Sequence, residues 1–442
     1  HANQLNTENL SIDLTARLEA GAHSFKFLVG YTDVDVFNLF LQRANGEYYF
    51  DSITDFEAGI ANRVRLAGAV PSGDVDDAAA RFSTQTYTFG LQDDWHATDT
   101  LQLSIGARYD LQGSNSRVPF NENFLARTGF SNTKTFKGMG VFQPRVGFDW
   151  QPTNRFVLRG GVGKFAGGAP DVFLSNSFSN TGQLTNAIDI RRNTSTDGCD
   201  VPAGPTAAAL CAAALNGVDP SAFDPLVLDY LQTNTASLAA APVNAIHPDY
   251  ELPAQWRATL SANYDADFGA LGDGWLLGAD LVYGKTAHAN TYYDARSVVI
   301  GTLPDGRPRY GRTSVGILPG DTNQTNQDLV LASTSKGRSI IAVGRVEKAW
   351  DFGLTTSVSY TFQDIKDVNP ITSATAGSLY GNATMADPNV ADYGTSIYEV
   401  KHSLKFSVDY EHAFFGDYKT RFALFGEYRT GRPYSLTMRD TS

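Results

Sequence analysis

Three stretches of the sequence carry residue types and spacings that could do chemistry. The first, LRGGVGKFAGG at 158–168, has the glycines and lysine of a loop that wraps a phosphate in backbone N–H groups. That pattern needs Gly at 158 and Ser or Thr at 165, and the chain has Leu158 and Phe165, so it fails twice. The glycines read instead as places where a strand bends or another backbone approaches, with Gly161 and Gly163 on one face. The second, DTNQTNQD at 321–328, offers oxygen donors for calcium. It has Asn326 where a glycine must turn the loop and Ala332 where a bidentate Glu belongs, so a regular EF-hand is excluded. The third is the pair Cys199 and Cys211 in a Pro/Ala/Asp-rich segment, the look of a local disulfide in an oxidising compartment. No further Cys or His lies nearby to complete a zinc site.

The seven histidines are scattered, without a pair at helical metal spacing and without a Ser/His/Asp order. No catalytic, cofactor or metal site is therefore expected. What remains is a set of charges at regular places: Arg108, Asp110, Arg145, Asp149, Arg159, Arg257 and Asp280. Each falls in a segment whose apolar residues alternate with polar ones, and each sits on the polar parity.

Those segments are the elements that must position the charges. In LQLSIGARYD (101–110), Leu101, Leu103, Ile105, Ala107 and Tyr109 share one parity, and Gln102, Ser104, Gly106, Arg108 and Asp110 the other. The same alternation recurs as hairpins: Leu10 to Leu18 with Phe25 to Tyr31, Tyr87 to Leu91 with Leu101 to Tyr109, and Val146 to Trp150 with Leu158 to Val162. It returns in Trp256 to Tyr264 with Trp275 to Tyr283, a noisier strand at 338–349 with Leu354 to Phe362, and Leu404 to Tyr410 with Phe422 and Leu424. Roughly a dozen strands of about 10 to 14 residues are expected. With 41 Gly, 20 Tyr and 27 Phe against 3 Met, the composition favours the same all-β class.

Connections inside the hairpins are short, near 19–22, 97–100, 151–155, 268–274, 350–353 and 414–418. Those between hairpins are long and polar, near 37–80, 111–142, 166–253, 286–335 and 367–399. In an antiparallel up-and-down sheet this strict alternation sends every short turn to one end and every long loop to the other, the asymmetry of an outer-membrane β-barrel. Trp95, Trp150, Trp275 and Trp350 sit beside short turns and Trp256 follows the longest loop, as amphipathic rings do at membrane interfaces. The apolar parity is thus expected to meet lipid, and the seven charges to face a polar lumen. The Ala-rich segment 205–215 is expected to form a short helix in the longest loop, pinned by the cysteines. A net charge of −12 without a basic cluster excludes a nucleic-acid partner, and no apolar run is long enough for a transmembrane helix.

Several stretches resemble a known family. FGLQDDWHATDTLQLSIGARYD (89–110) is similar to a strand pair of TonB-dependent outer-membrane receptors. FQPRVGFDWQPTNRFVLRGGVGKFAGGAP (142–170) resembles the following hairpin in their Oar-like branch. YYFDSITDFEAG (48–59), SNSFSNTG (175–182), GTLPDGRPRYG (301–311), STSKG (333–337) and GRPYS (431–435) extend the resemblance along nearly the whole chain. It implies a 22-strand barrel around an N-terminal plug, energised from the inner membrane through a TonB-type coupling protein. No plug, coupling motif or terminal aromatic strand is found within these residues. The chain is therefore expected to be the barrel portion, 1–442, of a longer receptor in the bacterial outer membrane, with a self-contained 12-strand barrel as the structural alternative. The expected partners are outer-membrane lipid, the plug, the coupling protein and a solute captured by loops 166–253 and 286–335. A passive porin or a surface adhesin is the functional alternative, whereas an outer-membrane hydrolase lacks catalytic residues at the rim.

Overall fold

In the computed structural model, residues 2–436 are described except 168–170, 194–197, 202–205, 220, 313–325, 370, 374, 383 and 384. Twelve strands follow one another around a single antiparallel wall: β1 (Ala2–Ala20), β2 (His23–Leu41), β3 (Ala80–Thr98), β4 (Leu101–Gly113), β5 (Gly140–Thr153), β6 (Phe156–Ala166), β7 (Ala254–Ala266), β8 (Trp275–Asp294), β9 (Arg338–Ala349), β10 (Leu354–Asp367), β11 (His402–Phe415) and β12 (Tyr418–Arg429). Every strand pairs with its sequence neighbour in the wall, so the connections do alternate, short at one end and long at the other.

Side-chain alternation explains the wall's two faces. Directly paired residues share a face, and the ladder joins Val29 to Phe89, Phe89 to Tyr109 and Tyr109 to Phe142 on the apolar side. These rings and aliphatic chains are exposed, with Val29 at 51% and Phe142 at 56%. Aromatic rings gather where the short turns lie: His23 stacks on Trp95 at 5.4 Å, and Trp275 meets Trp350 edge-on at 5.9 Å. Toward the loops, Tyr31 leans on Tyr87 at 5.3 Å. The run from His23 to Tyr31 rises ~26 Å at about 3.3 Å per residue. Tilted by roughly 40°, it crosses about 20 Å, close to the ~25 Å apolar band of such barrels.

Several strands are longer than the 10 to 14 residues expected. β1, β2 and β3 each have 19 residues and β8 has 20. Past the tyrosines the apolar parity turns polar, as at Glu8 on β1, Asp33 on β2, Gln85 on β3 and Lys285 on β8, which marks where each strand leaves hydrocarbon while its ladder continues. The expected boundaries at 37 and 286 are corrected accordingly to Leu41 and Asp294.

The long connections fold into a cap with its own cores. Phe82, Phe136, Leu174, Phe178, Ile246 and Leu331 belong to one buried cluster, and Val64, Ile190, Leu215 and Leu231 to a second. The segment Val243–Ile246 pairs in parallel with Asp328–Thr334, which in turn pairs with the loop end of β8. A separate four-stranded sheet includes Arg63–Ala69 and Thr185–Asn193. The helix Ala207–Leu215 packs against it, and Cys211 on that helix is bonded to Cys199 with Cα atoms 5.5 Å apart.

Candidate functional site: the charged inner wall

The seven charges singled out by parity lie on the polar face, and those with partners find them on the same strand or on a strand beside it. Asp110 is the most enclosed. Its Oδ1 accepts from Thr88 Oγ1 at 2.7 Å and Arg108 Nε at 2.8 Å, and its Oδ2 accepts from Gln143 Nε2 at 2.6 Å. Gln143 Oε1 also accepts from the Ala166 N–H at 3.0 Å, so one carboxylate and one amide stitch β3, β4, β5 and β6 together. Asp149 and Arg159 face each other in register at 2.6 Å. That pair is open to solvent and contributes about 0–1 kcal/mol. Asp280 accepts from Ser261 Oγ at 2.5 Å and forms an ion pair with Arg345, whose other Nη donates to Asn263 Oδ1 at 2.6 Å.

Arg145 and Arg257 differ from the rest. The register sets Arg145 opposite Gly163 and Gly163 opposite Arg257, placing the two arginines on alternate strands whose backbones lie roughly 10 Å apart at the usual strand spacing. Arg145 lies 5.3 Å from the Phe165 ring centroid, and among the described residues neither arginine forms an ion pair. With Gln92, Ser104, Gly106 and Gly161 they line a trough of about 290 Å³. Its glycine floor has a local cause. A Cβ at Gly106 would stand 2.8 Å from the Leu91 carbonyl oxygen, and one at Gly161 2.8 Å from that of Val146. The wall's own backbone demands glycine here, and the trough is the consequence.

Sequence reasoning missed Thr88, Gln143, Ser261, Asn263 and Arg345, whose only signal was a polar residue on the inner parity. It also missed a buried cluster in the cap. Asp328, fully enclosed, accepts from Arg127 Nε at 2.8 Å, from Arg296 Nη2 at 3.0 Å and from the Val243 N–H at 3.0 Å. Arg296 also donates to the Ala240 and Ala241 carbonyls at 2.9 and 2.7 Å. Three separate connections thus meet on one carboxylate. At the opposite end, Arg155 clamps Asp273 through two hydrogen bonds of 2.5 and 2.6 Å, tying two short turns together. The guanidinium holds the Asp273 carboxyl down at about 2.

Among the described residues no group of His, Cys, Asp and Glu is placed to hold a metal, and no helix is long and apolar enough to cross a membrane. Most of the stretch 321–328 lies outside the described residues.

A twelve-strand antiparallel wall, apolar on one face, charged on the other, and capped at one end, is the architecture of a protein that crosses the outer membrane as a β-barrel. The chain belongs to the outer membrane beta-barrel domain family, which matches residues 1–430. It is an outer-membrane protein, with its apolar face toward lipid. No protein of curated function matches it. Among solved structures, the outer membrane transporter YddB from Escherichia coli superposes with a TM-score of 0.51 at 11% identity, over 99% of this chain and 44% of that one. A mutant of the ferric enterobactin receptor PfeA from Pseudomonas aeruginosa gives 0.46 at 9% identity, over 95% and 41%. The siderophore receptor PirA from Acinetobacter baumannii gives 0.46 at 11%, over 95% and 42%. The chain spans less than half the length of each, and at such identities the likeness to YddB establishes the fold alone.

Proposed function

We propose that this chain is the wall and outer cap of an active transporter of the TonB-dependent kind, in the Oar-like branch. The cap captures a solute, and a plug within the lumen is displaced by inner-membrane energy delivered through a TonB-type protein. The observation that carries this reading is the open sheet: among the described residues β1 and β12 each pair with one neighbour only. An unpaired strand edge in hydrocarbon costs several kcal/mol per orphaned backbone group, which supports a wall completed by further strands. Barrels of about 22 strands enclose a lumen that is plugged rather than left open. Within that lumen Arg108, Asp110, Asp149, Arg159 and Asp280 are neutralised by their neighbours, which leaves Arg145 and Arg257 to meet an anionic group of the plug or solute.

The test is osmotic swelling of liposomes holding the full-length protein, paired with uptake in cells. The expected result is no free diffusion of small sugars, and solute uptake that stops when the inner-membrane proton gradient is collapsed. Rapid sugar entry, independent of that gradient, would overturn the proposal in favour of a passive porin.

A further inference from the structure

We infer that the cap carries a binding site for an organic cation, an alkylammonium group borne by the solute, in the cleft framed by Tyr310 and Tyr380. The cleft encloses about 330 Å³, and its lining includes Ser297, Tyr310, Gly311, Tyr380, Met385 and Pro388. It opens between two pieces of the long connections. The hairpin of Ser297–Thr302 with Pro308–Arg312 supplies Tyr310, set opposite Val299 by the register. The helix Ala376–Gly381 supplies Tyr380, and its Ala376 and Leu379 are buried in the main cap core, which fixes where that ring stands.

Both phenols are held from behind by one short turn, Asp387 to Asn389. Tyr310 Oη donates to the two Asp387 carboxylate oxygens at 3.0 and 2.9 Å, and Tyr380 Oη donates to Asn389 Oδ1 at 3.0 Å. The turn is itself pinned. The Asn389 N–H donates to Asp387 Oδ1 at 2.9 Å, and Asn389 Oδ1 accepts from the Asp294 N–H, at the end of β8, at 2.8 Å. A hydroxyl has one proton and two lone pairs. With the proton committed to the turn, a phenol oxygen can act toward the cleft only as an acceptor. Burial first, then the bond to Asp387, pushes the Tyr310 phenol above its usual value, so the donated proton stays in place. Behind it the Asp387 charge is unanswered: its bonds come from a phenol and a backbone N–H, and among the described residues no Lys or Arg pairs with it.

These features select the occupant. A group entering the cleft must bring donors, and a positive charge gains at once from the Asp387 carboxylate and from the π-systems of two tyrosine rings. A bare metal ion needs several oxygens converging on one point. This lining is instead two phenol rings, a hydroxyl, a thioether, a proline ring and glycine backbone, and among the described residues no metal-holding group is found. An anion would face phenol oxygens without protons to give and a negative charge behind them. An ammonium group on an apolar stem suits both halves, with its N–H groups on the phenol oxygens and its methylenes against Met385 and Pro388. The inference rests on the cap being the part that captures solute, and it names the chemical class of that solute.

The experiment titrates the full-length protein, in neutral detergent micelles, with n-propylammonium and with n-propanol, its uncharged near-isostere, reading binding by saturation-transfer difference NMR. The ammonium probe is expected to bind at least about tenfold more tightly than the alcohol. Asp387→Asn keeps an oxygen that accepts from Tyr310, and should weaken the ammonium probe by about tenfold while leaving the alcohol unchanged. Asp219→Asn makes the same change of net charge elsewhere in the cap and should leave both unchanged. Equal binding of the two probes by the wild type overturns the proposal without reliance on any variant. So does undiminished ammonium binding by Asp387→Asn. Ammonium selectivity in a protein whose lumen passes sugars freely would count against the transporter reading alone, and a sealed, gradient-driven transporter without that selectivity would count against this inference alone.

Discussion

Ile105 in the wall leaves 51% of its surface open, whereas Phe124, in the very next connection, leaves none. Both are large apolar residues in well-formed structure, and they differ in the solvent each region was built for. In the wall, apolar chains face outward because lipid surrounds them and charges are gathered inside. In the cap, apolar chains are packed inward, and the fully enclosed carboxylate of Asp328 is matched by two arginines and a backbone N–H, as burial in a water-soluble core requires. The boundary between the two regimes is set along single strands. β8 carries Leu281 and Tyr283 toward lipid, then Lys285 at the rim, then Asn290, Tyr292 and Asp294 buried in the cap.

The largest effect that would separate the two regions comes from Asp328→Ala. It strands Arg127 and Arg296 in a dry site at a cost of about 3–5 kcal/mol. Limited proteolysis should show the cap opening while the wall keeps its resistance to unfolding in unheated electrophoresis; simultaneous loss of the wall would mean that the two regions fold as one. Next is a pair of neighbours on β8. Leu281→Arg, on the lipid face, should destabilise the protein in bilayers by about 2–4 kcal/mol, and Val282→Arg, on the lumen face, by less than about 1 kcal/mol. Similar costs in urea titrations on vesicles would break the assignment of faces. Removing the Cys199–Cys211 bond, which closes a loop of sequence separation 12, should cost the cap about 2–3 kcal/mol and leave the wall untouched. Differential hydrogen exchange would localise the loss, which should stay within the sheet of Thr185–Asn193 and the helix Ala207–Leu215.

The smallest effect lies at the short-turn end. The Asp273 carboxyl is lowered from its ordinary 3.8 to about 2, chiefly by the hydrogen bonds from Arg155, so its folded pKa is below its unfolded one. The stabilisation from this clamp is complete above about pH 4 and disappears as pH falls through about 2. Unfolding midpoints of wild type and Asp273→Asn should differ slightly above pH 4 and converge below pH 2. A gap that persists well below pH 2 would assign the clamp's effect to packing rather than charge.

Much of the wall could be read from the chain because alternation at a period of two is a direct consequence of strand geometry. Leu101 to Tyr109 and Gln102 to Asp110 take opposite faces in the sheet as their parity required, and the short turns fall where the hairpin pattern put them. Strand ends were less legible. Beyond Lys285 the two faces of β8 stop differing in polarity, yet the backbone ladder runs on because Asp328–Thr334 supplies a partner. The cap's clusters were illegible, since Arg127, Arg296 and Asp328 carry no local pattern and are joined only by folding.

Sequence by itself determined the parity of each side chain, and with it the face on which Arg108, Asp110, Arg145, Asp149, Arg159, Arg257 and Asp280 stand. Tertiary structure decided which of those charges meet a partner on another strand, because register is a property of two strands at once. That is why Asp280 meets Arg345 and why Arg145 and Arg257 flank Gly163 from either side.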